Sequence, residues 1–439
     1  MKKVLYGLLA TAILSMVGCS AVDGLGSGGR APGLAVASEK ERQVSPDVSD
    51  ADLDALIEGN STFAFELYRL LAEREGNENL FYSPYSISLA LAMTYAGARG
   101  ETEAEMADAL HIILSQEKLH PAFNALDQEL AQRGDGAEGK DTADGQDAEG
   151  FRLNIANAIW GQEDYQFLDT FLDVLAQNYG AGLRALDFAG SPEESRVVIN
   201  DWVSEQTEGK IEDLIPQGGI DGLTRLVLTN AIYFNAAWAN PFEEAATGEG
   251  TFILLDGREV SVPMMRQSES LGYAEGAGYQ AVELPYDGGE MSMVIVVPEE
   301  GEFEAFEDSL DPGQVEAIIE HLGRRQVALT MPKFEFDARF SLKEALAALG
   351  MPQAFSEVAD FSGMTGEKDL LISDVFHKAF VSVDEAGTEA AAATAVVMKL
   401  TSAAPDPVEV NVDHPFLFLI RDVETGAILF VGRVVDPSA

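Results

Sequence analysis

The chain has 439 residues, of which 46% carry apolar side chains, so it can build one large domain or two smaller ones. With 74 acidic against 28 basic residues, the formal charge is −46, and such a surface repels the phosphate backbone of nucleic acids. One cysteine and five histidines exclude a disulfide framework and leave little material for a metal site, so we expect no metal and no cofactor.

The amino-terminal residues have the pattern of an export signal. Two lysines precede an apolar run over residues 4–17, which is too short to span a bilayer comfortably. The following sequence SMVGC (15–19) resembles the lipobox of bacterial lipoproteins, with Met16 in place of the usual leucine. The resemblance implies a signal peptide over residues 1–18 and acyl chains on Cys19 that anchor the protein to a bacterial cell envelope. The alternative is an ordinary secretory signal, an incidental cysteine and a secreted, extracellular protein.

Residues 20–50 are rich in glycine, serine, alanine and proline and lack an apolar period, which is typical of a flexible linker. We therefore predict a tether over residues 19–50 and one folded domain over residues 51–439. Beyond Asp50 the sequence shows neither a second linker nor an internal repeat.

Amphipathic patterns predict helices at 63–73 and 103–114. The polar, acidic and glycine-rich residues 134–150 predict a solvated surface loop between a helix and a strand. Strand-like runs then dominate, at 226–234, 291–298, 326–336 and 416–422. Because helices alternate with these strands without a regular βαβ rhythm, the pattern predicts an α+β domain around a mainly antiparallel sheet.

Motifs of catalysis are missing from the sequence. It contains no Gly-x-Ser-x-Gly elbow, no Walker loop and no His-Glu-x-x-His pattern. With 74 carboxylates, pairs of acidic residues are expected by chance and do not point to a glycosidase. We therefore predict that the protein is not an enzyme, and a hydrolase is a distant alternative.

The most informative segment is 381–422. It begins as a strand, passes through Gly-Thr-Glu, a run of alanines, an apolar patch and a proline-rich stretch, and ends in a second strand. This arrangement resembles the serpin family of protease inhibitors. Residues 385–393 look like the hinge of an inhibitory serpin, and residues 411–420 look like the carboxy-terminal signature of the family.

The likeness extends over nearly the whole predicted domain. Four further segments resemble the helix B region (79–102), the helix F region (199–215), the third strand of the main sheet (228–238) and the fifth strand running into the hinge (372–391). Five separate motifs in the right order identify the chain as a member of the family. The resemblance implies the serpin fold, in which helices pack around a large, mainly antiparallel central sheet with smaller sheets and an exposed reactive loop.

Residues 388–398 allow two interpretations. Alanine is a strong helix former, so an exposed helix or a plain surface loop is the first. Threonine and valine around the alanines favour a strand, and about 25 residues without a core-facing pattern are long for an unused loop. In a strand, one face would be small at its start and apolar at its end: Thr388, Ala390, Ala392, Thr394, Val396 and Met398. Such a face suits insertion between existing strands, and Glu389 and Lys399 fall on the opposite face.

The resemblance also implies a mechanism. The serine of a target protease attacks the loop and forms a covalent acyl complex. The cut loop then inserts into the main sheet and drags the protease across the molecule before water can release it. A ten-residue insertion could release on the order of 10 kcal/mol, so the uninserted fold would be metastable. Insertion must be faster than hydrolysis of the acyl bond, and the resemblance assigns this to the hinge residues Glu385, Gly387, Thr388, Glu389, Ala390, Ala391, Ala392 and Ala393.

The family pattern places Glu385 seventeen positions before the cut, which puts the reactive bond at Thr401-Ser402. A shift by one residue to Leu400-Thr401 is the alternative. Threonine or leucine suits proteases of elastase, chymotrypsin or subtilisin type, and papain-like cysteine proteases are further candidates. A trypsin-like target would require cleavage after Lys399.

Five positions match polar and aromatic sites of the family. Ser83, Ser86, Asn230 and His377 match the shutter, a polar cluster beneath the point where the main sheet opens, and Trp238 matches the tryptophan at the breach above it. As plain chemistry, His377 is a satisfied core histidine and Trp238 is a large core aromatic.

The charge pattern bears on partners. The helix expected over 118–133 has only Lys118 and Arg133 as basic residues, so we expect no heparin-like polyanion. The overall acidity fits adaptation to high salt or plain solubility. The leading hypothesis is a monomeric, exported, membrane-tethered suicide inhibitor of serine proteases. The alternative is a non-inhibitory serpin that acts as a binding or structural protein, and the small residues 390–393 favour inhibition.

Overall fold

A computed structural model describes residues 33–133, 152–388 and 407–439 of the chain. The predicted signal peptide, Cys19 and the acidic stretch 134–150 lie outside the described residues, as do hinge residues 389–393 and the reactive bond at 400–402. Among the described residues, no helix combines the length and the apolar character that crossing a membrane requires.

Helices cover mainly the first half of the domain. They are α1 (Asp50–Glu75), α2 (Pro84–Tyr95), α3 (Gly100–Ala109), α4 (Gln116–Ala131), α5 (Asp169–Tyr179), α6 (Pro192–Gln206), α7 (Phe303–Ser309), α8 (Pro312–Glu320), α9 (Lys343–Ala348) and α10 (Ser362–Thr365). The hydroxyl of Ser49 caps α1 by accepting the Asp52 N–H, and Gly76 ends that helix with a positive φ of 54°. The predicted helix 103–114 ends early, at Ala109, because the chain turns and His111 adopts a φ of 53°.

The strands follow in chain order. They are β1 (Leu34–Val36), β2 (Leu80–Tyr82), β3 (Arg152–Gln162), β4 (Leu183–Leu186), β5 (Leu226–Ala237), β6 (Gly248–Ile253), β7 (Glu259–Gly276), β8 (Tyr279–Pro285), β9 (Met291–Pro298), β10 (Gly323–Pro332), β11 (Phe334–Ser341), β12 (Ile372–Val383), β13 (Gly387–Thr388), β14 (Val408–Asn411), β15 (Phe416–Asp422) and β16 (Ile428–Val434).

Within the described residues these strands form two sheets. The main sheet has the order β1-β4-β3-β5-β13-β12-β11, and the second sheet has the order β14-β10-β7-β8-β9-β15-β16-β2, with β6 on β7. The pairs β3–β4, β5–β12 and β10–β14 are parallel and the other pairs are antiparallel. The predicted α+β class with a mainly antiparallel central sheet is confirmed.

One predicted strand is wrong in its extent. The run 326–336 is two strands, β10 and β11, because the chain leaves the second sheet at Pro332 and enters the main sheet at Phe334. The backbone N–H of Lys333, between them, bonds the Pro263 carbonyl at 2.9 Å. This crossing brings Lys333 within 2.6 Å of the Glu385 carboxylate, just after β12.

The apolar core has two parts. A large cluster fills the space between the two sheets and beneath α1 and α2, and it includes Phe234 of β5. A smaller cluster lies between the opposite face of the main sheet and α6, where Trp160 meets Trp202 edge to face at 5.4 Å. Both faces of the main sheet are therefore covered where these clusters lie, and a strand added between them must present small or apolar side chains there on both sides.

Part of the predicted tether belongs to the folded domain, so the boundary at residue 50 needs correction. Strand β1 pairs antiparallel with β4 at the edge of the main sheet. Arg42 forms an ion pair with Asp127 of α4 at 2.6 Å, and the Gln43 N–H bonds the Gln177 carbonyl of α5 at 2.8 Å. The sequence did not indicate this segment because a three-residue edge strand has no measurable apolar period.

Candidate functional site

The chain reverses direction directly after β12. The Asp384 side chain accepts hydrogen bonds from the N–H groups of Ala386 at 2.8 Å and Gly387 at 3.2 Å. Its own N–H bonds the Gly387 carbonyl at 3.0 Å, which closes the turn. The turn sends β13 back down between β5 and β12.

Strand β13 is thus the start of an extra strand inside the main sheet. Gly387 lies opposite Ala237 and Thr388 opposite Ala236 of β5, and Thr388 also pairs with Val383 of β12. A Cβ atom on Gly387 would lie 2.2 Å from the Ala236 carbonyl oxygen, so the close approach requires glycine. Below this point β5 and β12 pair directly with each other. The sheet is therefore forked, and its upper end holds Gly387 and Thr388 between β5 and β12.

Aromatic side chains hold Thr388 in place. Thr388 is buried, and its hydroxyl lies 2.7 Å from the Tyr286 hydroxyl. Trp238 stacks on Tyr286 with ring centroids 4.6 Å apart, and its Nε1–H donates to the Asp384 carbonyl at 3.0 Å. Burial raises the pKa of Tyr286 far above its ordinary value, so this hydroxyl stays protonated.

Glu385 ties the root of the loop to neighbouring elements. Its carboxylate pairs with Lys333 Nζ at 2.6 Å and accepts the Thr247 hydroxyl at 2.7 Å, while its carbonyl accepts the Phe242 N–H at 2.8 Å. Burial acts to raise the pKa of Glu385, but the bonds from Lys333 and Thr247 outweigh it and hold the pKa below its usual value. The carboxylate therefore stays ionised and paired at neutral pH.

A second polar cluster lies lower in the main sheet. It contains Ser83 and Ser86 at the start of α2, Asn157 of β3, Asn230 of β5 and His377 of β12. Asn230 Nδ2 donates to Ser86 Oγ and to Asn157 Oδ1, both at 2.6 Å. The Asn157 amide in turn donates to the Ser86 carbonyl at 3.0 Å. The cluster thus joins three neighbouring strands, β3, β5 and β12, to helix α2 behind them.

The protonation of His377 follows from its partners. Its Nε2 accepts the backbone N–H of Ser83 at 3.2 Å, so the proton must sit on Nδ1, which donates to the Asn230 side-chain oxygen. Burial lowers the pKa of His377 to about 3, so the ring is neutral at physiological pH. The bond between His377 and Asn230 crosses the seam where β5 and β12 are direct neighbours.

The structure brings the predicted positions into two groups. Ser83, Ser86, Asn230 and His377 share the lower cluster, and Trp238 lies with Gly387 and Thr388 at the fork. Their roles in controlling the sheet stay predictions. Sequence reasoning missed the partners Asn157, Tyr286, Lys333 and Thr247. An asparagine within the apolar alternation of β3 was a weak signal for Asn157, whereas the other three come from elements of the second sheet or its connections.

Comparison with known proteins identifies relatives over most of the chain. A family model described as Serpin (serine protease inhibitor) matches residues 58–437. The chain is 41% identical over 387 residues to an uncharacterized serpin-like protein of Thermococcus kodakarensis, covering 87% of this chain and 86% of that protein. It is 38% identical over 395 residues to leukocyte elastase inhibitor of Homo sapiens, covering 88% of this chain and 100% of that protein.

Solved structures show the same fold. The thermophilic serpin tengpin in its native state matches with a TM-score of 0.79 at 30% identity, covering 90% of this chain and 97% of that chain. Human thyroxine-binding globulin matches with a TM-score of 0.76 at 30% identity, covering 88% of this chain and 100% of that chain.

Proposed function

The chain belongs to the serpin family, and from that premise we propose that it inhibits serine proteases by inserting its cleaved reactive loop into the main sheet. Insertion of the loop is the recognised behaviour of this family. The observation that carries the proposal for this chain is β13, because Gly387 and Thr388 already pair with β5 and this short strand runs toward the seam.

The register of β13 predicts where each later residue would land. Continuing the pairing of Thr388 with Ala236 places Ala390 opposite Phe234, Thr394 opposite Asn230 and Met398 opposite Leu226. Small residues thus enter beside the bulky Phe234, a hydroxyl arrives beside the polar cluster, and an apolar side chain reaches the apolar lower end. Each step matches the chemistry of its neighbour.

The other face is equally suited. In the same register Ala391 would lie opposite Tyr233 and Ala393 opposite Ala231, on the face that α6 covers. Alanine adds little volume beneath a packed helix, so α6 need move little to admit the strand. A bulky or charged residue at these positions would block entry.

The energy of insertion favours the inserted form. Insertion breaks one parallel ladder, between β5 and β12, and creates two antiparallel ladders. The net gain is about one backbone hydrogen bond per residue, or on the order of 10 kcal/mol over residues 389–398 at about 1 kcal/mol each. That figure is comparable to the stability of an entire domain, so the uninserted form would be held kinetically.

The target we propose is a serine protease of elastase, chymotrypsin or subtilisin type, with papain-like cysteine proteases as further candidates. Thr401-Ser402, or Leu400-Thr401, supplies a small or medium side chain at the cut. The 38% identity to a protein named leukocyte elastase inhibitor supports this class. The product is a covalent acyl complex in which the protease stays attached to the cleaved loop.

A substitution at the fork tests the trapping mechanism. Thr388→Arg places a charge against Tyr286 on the buried face, so we expect the variant to be cut as a substrate without trapping the protease. Glu389→Gln is the matched control, since that side chain falls on the opposite face, opposite Asn235 in the register of β13, and glutamine keeps its size. Each form is mixed with elastase, chymotrypsin or subtilisin and run on a denaturing gel.

We expect wild type and Glu389→Gln to give a protease complex that survives denaturation, and Thr388→Arg to give only the cleaved inhibitor. If wild type gives no such complex with any of these proteases, the trapping account is wrong and a non-inhibitory binding or structural role stands in its place. Mass spectrometry of the complex reads the position of the cut directly.

We also propose that acyl chains on Cys19 tether the protein to a bacterial membrane after export. Two features support this proposal: the sequence SMVGC follows a short apolar run, and its last residue is the single cysteine of the chain. Metabolic labelling with a radioactive fatty acid should mark the wild-type protein, and Cys19→Ala should abolish the label. Equal labelling of both forms, or none in wild type, would contradict the anchor.

A further inference from the structure

The first described strand lies at the end of the main sheet that is far from the fork. Leu34 of β1 lies opposite Ala185 of β4, which in turn lies beside Gly161 of β3. Gly161 lies opposite Leu226, the first residue of β5, so Leu34 and Leu226 share one row of the sheet. The fork is in the row of Ala236, ten strand positions or about 33 Å further along β5.

The direction of β1 shows from which side the chain enters. Strands β3 and β4 run away from the fork, and β1 is antiparallel to β4, so β1 runs toward the fork. Gly33 precedes β1 with a positive φ of 68°, and a Cβ atom there would lie 3.3 Å from the Ala185 carbonyl oxygen and from the Leu186 side chain. Leu186 is the last residue of β4, so Gly33 lies at the lower end of the sheet. The chain therefore joins the folded domain at this lower end.

The segment that follows β1 is fastened to two helices. Lys40 forms an ion pair with Asp173 of α5 at 2.8 Å, and Arg42 forms an ion pair with Asp127 of α4 at 2.6 Å. The Arg42 Nε–H also donates to the Asn124 side-chain oxygen at 2.7 Å. A pull on the amino-terminal end is therefore passed on to the sheet and to both helices, and the point of entry stays at the lower end.

The length of the predicted linker favours one arrangement at a membrane. Cys19 precedes Gly33 by fourteen residues, and a linker of this composition spans about 20 Å on average over that length. The distance from the lower end to the fork is larger, at about 33 Å. Bringing the fork to the bilayer would require the linker to run back along the whole sheet, close to its limit of about 50 Å, which costs chain entropy. Placing the lower end toward the bilayer requires no such extension.

We propose that in the anchored protein the lower end of the main sheet faces the membrane and the fork faces away from it. This inference rests on the proposed anchor at Cys19. The reactive loop begins at the fork, directly after Thr388, so it is presented to the aqueous phase. The partner that fits this arrangement is a soluble protease that arrives from the surrounding medium.

Energy transfer from a dye on the domain to acceptors in the lipid headgroups tests the orientation. Acylation consumes the thiol of the single cysteine, so an introduced cysteine is the one free thiol of the lipidated chain. Leu223→Cys places the dye at an exposed position just before β5, at the lower end. Ala245→Cys is the matched variant at the fork, three residues after Phe242, whose N–H bonds the Glu385 carbonyl.

Each lipidated variant is reconstituted into phosphatidylcholine vesicles that carry the acceptor. We expect the dye on Leu223→Cys to lie closer to the headgroups than the dye on Ala245→Cys by about 30 Å, because the two positions are at opposite ends of β5. The same variants with Cys19→Ala are the control for protein that is not anchored, and they should show no transfer.

The outcomes separate the orientation from the anchor. Equal distances for the two dyes, or a shorter distance for Ala245→Cys, would overturn the orientation and leave the anchor in place. Absence of transfer from both dyes would overturn the anchor, and the orientation with it.

A second arm tests whether the loop is presented to the medium. Wild-type protein in vesicles and Cys19→Ala protein in solution are mixed with soluble elastase, chymotrypsin or subtilisin, and the rate of complex formation is measured. The two rates should agree within about twofold, since the bilayer blocks the approach from one side alone. Much slower trapping by the vesicle-bound form would contradict presentation to the medium. If neither form traps any protease but the dyes report the expected distances, the orientation stands and the proposed inhibition fails.

Discussion

The fork at the top of the main sheet and the polar cluster below it are built in opposite ways. At the fork, contacts from outside the sheet keep the strands apart around Thr388: the stack of Trp238 on Tyr286 and the pair of Glu385 with Lys333. At the cluster, a bond between Asn230 and His377 joins the two strands that must separate. The upper end is thus already open, and for the insertion that we propose, the main resistance would lie in the middle of the sheet.

In the insertion that we propose, the new strand would start at the fork, and the polar cluster would have to open before it could go further. Residues at the fork are mostly aromatic or charged and gain their contacts whether or not the loop goes further. The cluster is buried and neutral, and its members are satisfied only while the sheet is closed or once a new polar partner arrives. Thr394 would be that partner in the register of β13. The comparison predicts that changes at the two places have different consequences.

The largest expected effect comes from cutting the loop. Cleavage frees the segment after Thr388 to fill the seam, and a gain on the order of 10 kcal/mol should raise the midpoint of thermal unfolding by about 10 °C. A melting curve before and after nicking by a protease that does not form a complex measures the shift. An unchanged midpoint would mean that the fork is not the start of an insertion path.

The next effect comes from the cluster. Asn230→Ala removes the bond across the seam and leaves the buried Nδ1–H of His377 without a partner, which should lower the free energy of unfolding of the uncut form by about 3 kcal/mol. Denaturant unfolding measures this change. The matched control is Asn154→Ala, on β3 but outside the cluster, which should cost much less. Equal losses in both variants would show that the cluster has no special place in closing the sheet.

The smallest effect is the response of the cluster to acid. His377 has a folded pKa of about 3 against an ordinary value of 6.5, so unfolded chains bind a proton that the closed sheet excludes. Its contribution to stability is complete above pH 6.5 and is lost as the pH falls, roughly 2 kcal/mol by pH 5.

Carboxylates and the buried His120, whose pKa burial lowers to about 4, also respond to acid, so a difference measurement isolates His377. Denaturant unfolding at pH 7 and pH 5 should show a smaller acid-induced loss in His377→Gln than in wild type. An identical loss in the two forms would contradict a neutral, closed cluster.

Local sequence patterns predicted much of the fold. The runs at 291–298 and 416–422 match β9 and β15 because these strands are almost continuously buried and read as unbroken apolar segments. The run at 326–336 was predicted as one strand although it forms two. The chain passes from one sheet to the other at Lys333, and this change of sheet leaves the apolar pattern of the sequence uninterrupted. The edge strand β1 was missed because three residues, two of them exposed, have no pattern at all.

The candidate site, too, could be predicted only in part from the sequence. Asn230 on β5, His377 on β12 and Trp238 directly after β5 lie in strong family motifs, so they could be named from the sequence. Tyr286 and Lys333 reach the fork from the second sheet and from the crossing between sheets, and nothing in their local sequence relates them to Thr388. Partners across a sheet seam depend on register, which only three-dimensional pairing reveals.

The most direct test of loop insertion is a crystal structure of the protein cleaved at its reactive bond. The account predicts a full strand between β5 and β12, with Ala390 beside Phe234 and Thr394 within hydrogen-bonding reach of Asn230 or His377. A cleaved molecule in which β5 and β12 still pair with each other below Thr388, with the loop outside the sheet, would contradict it.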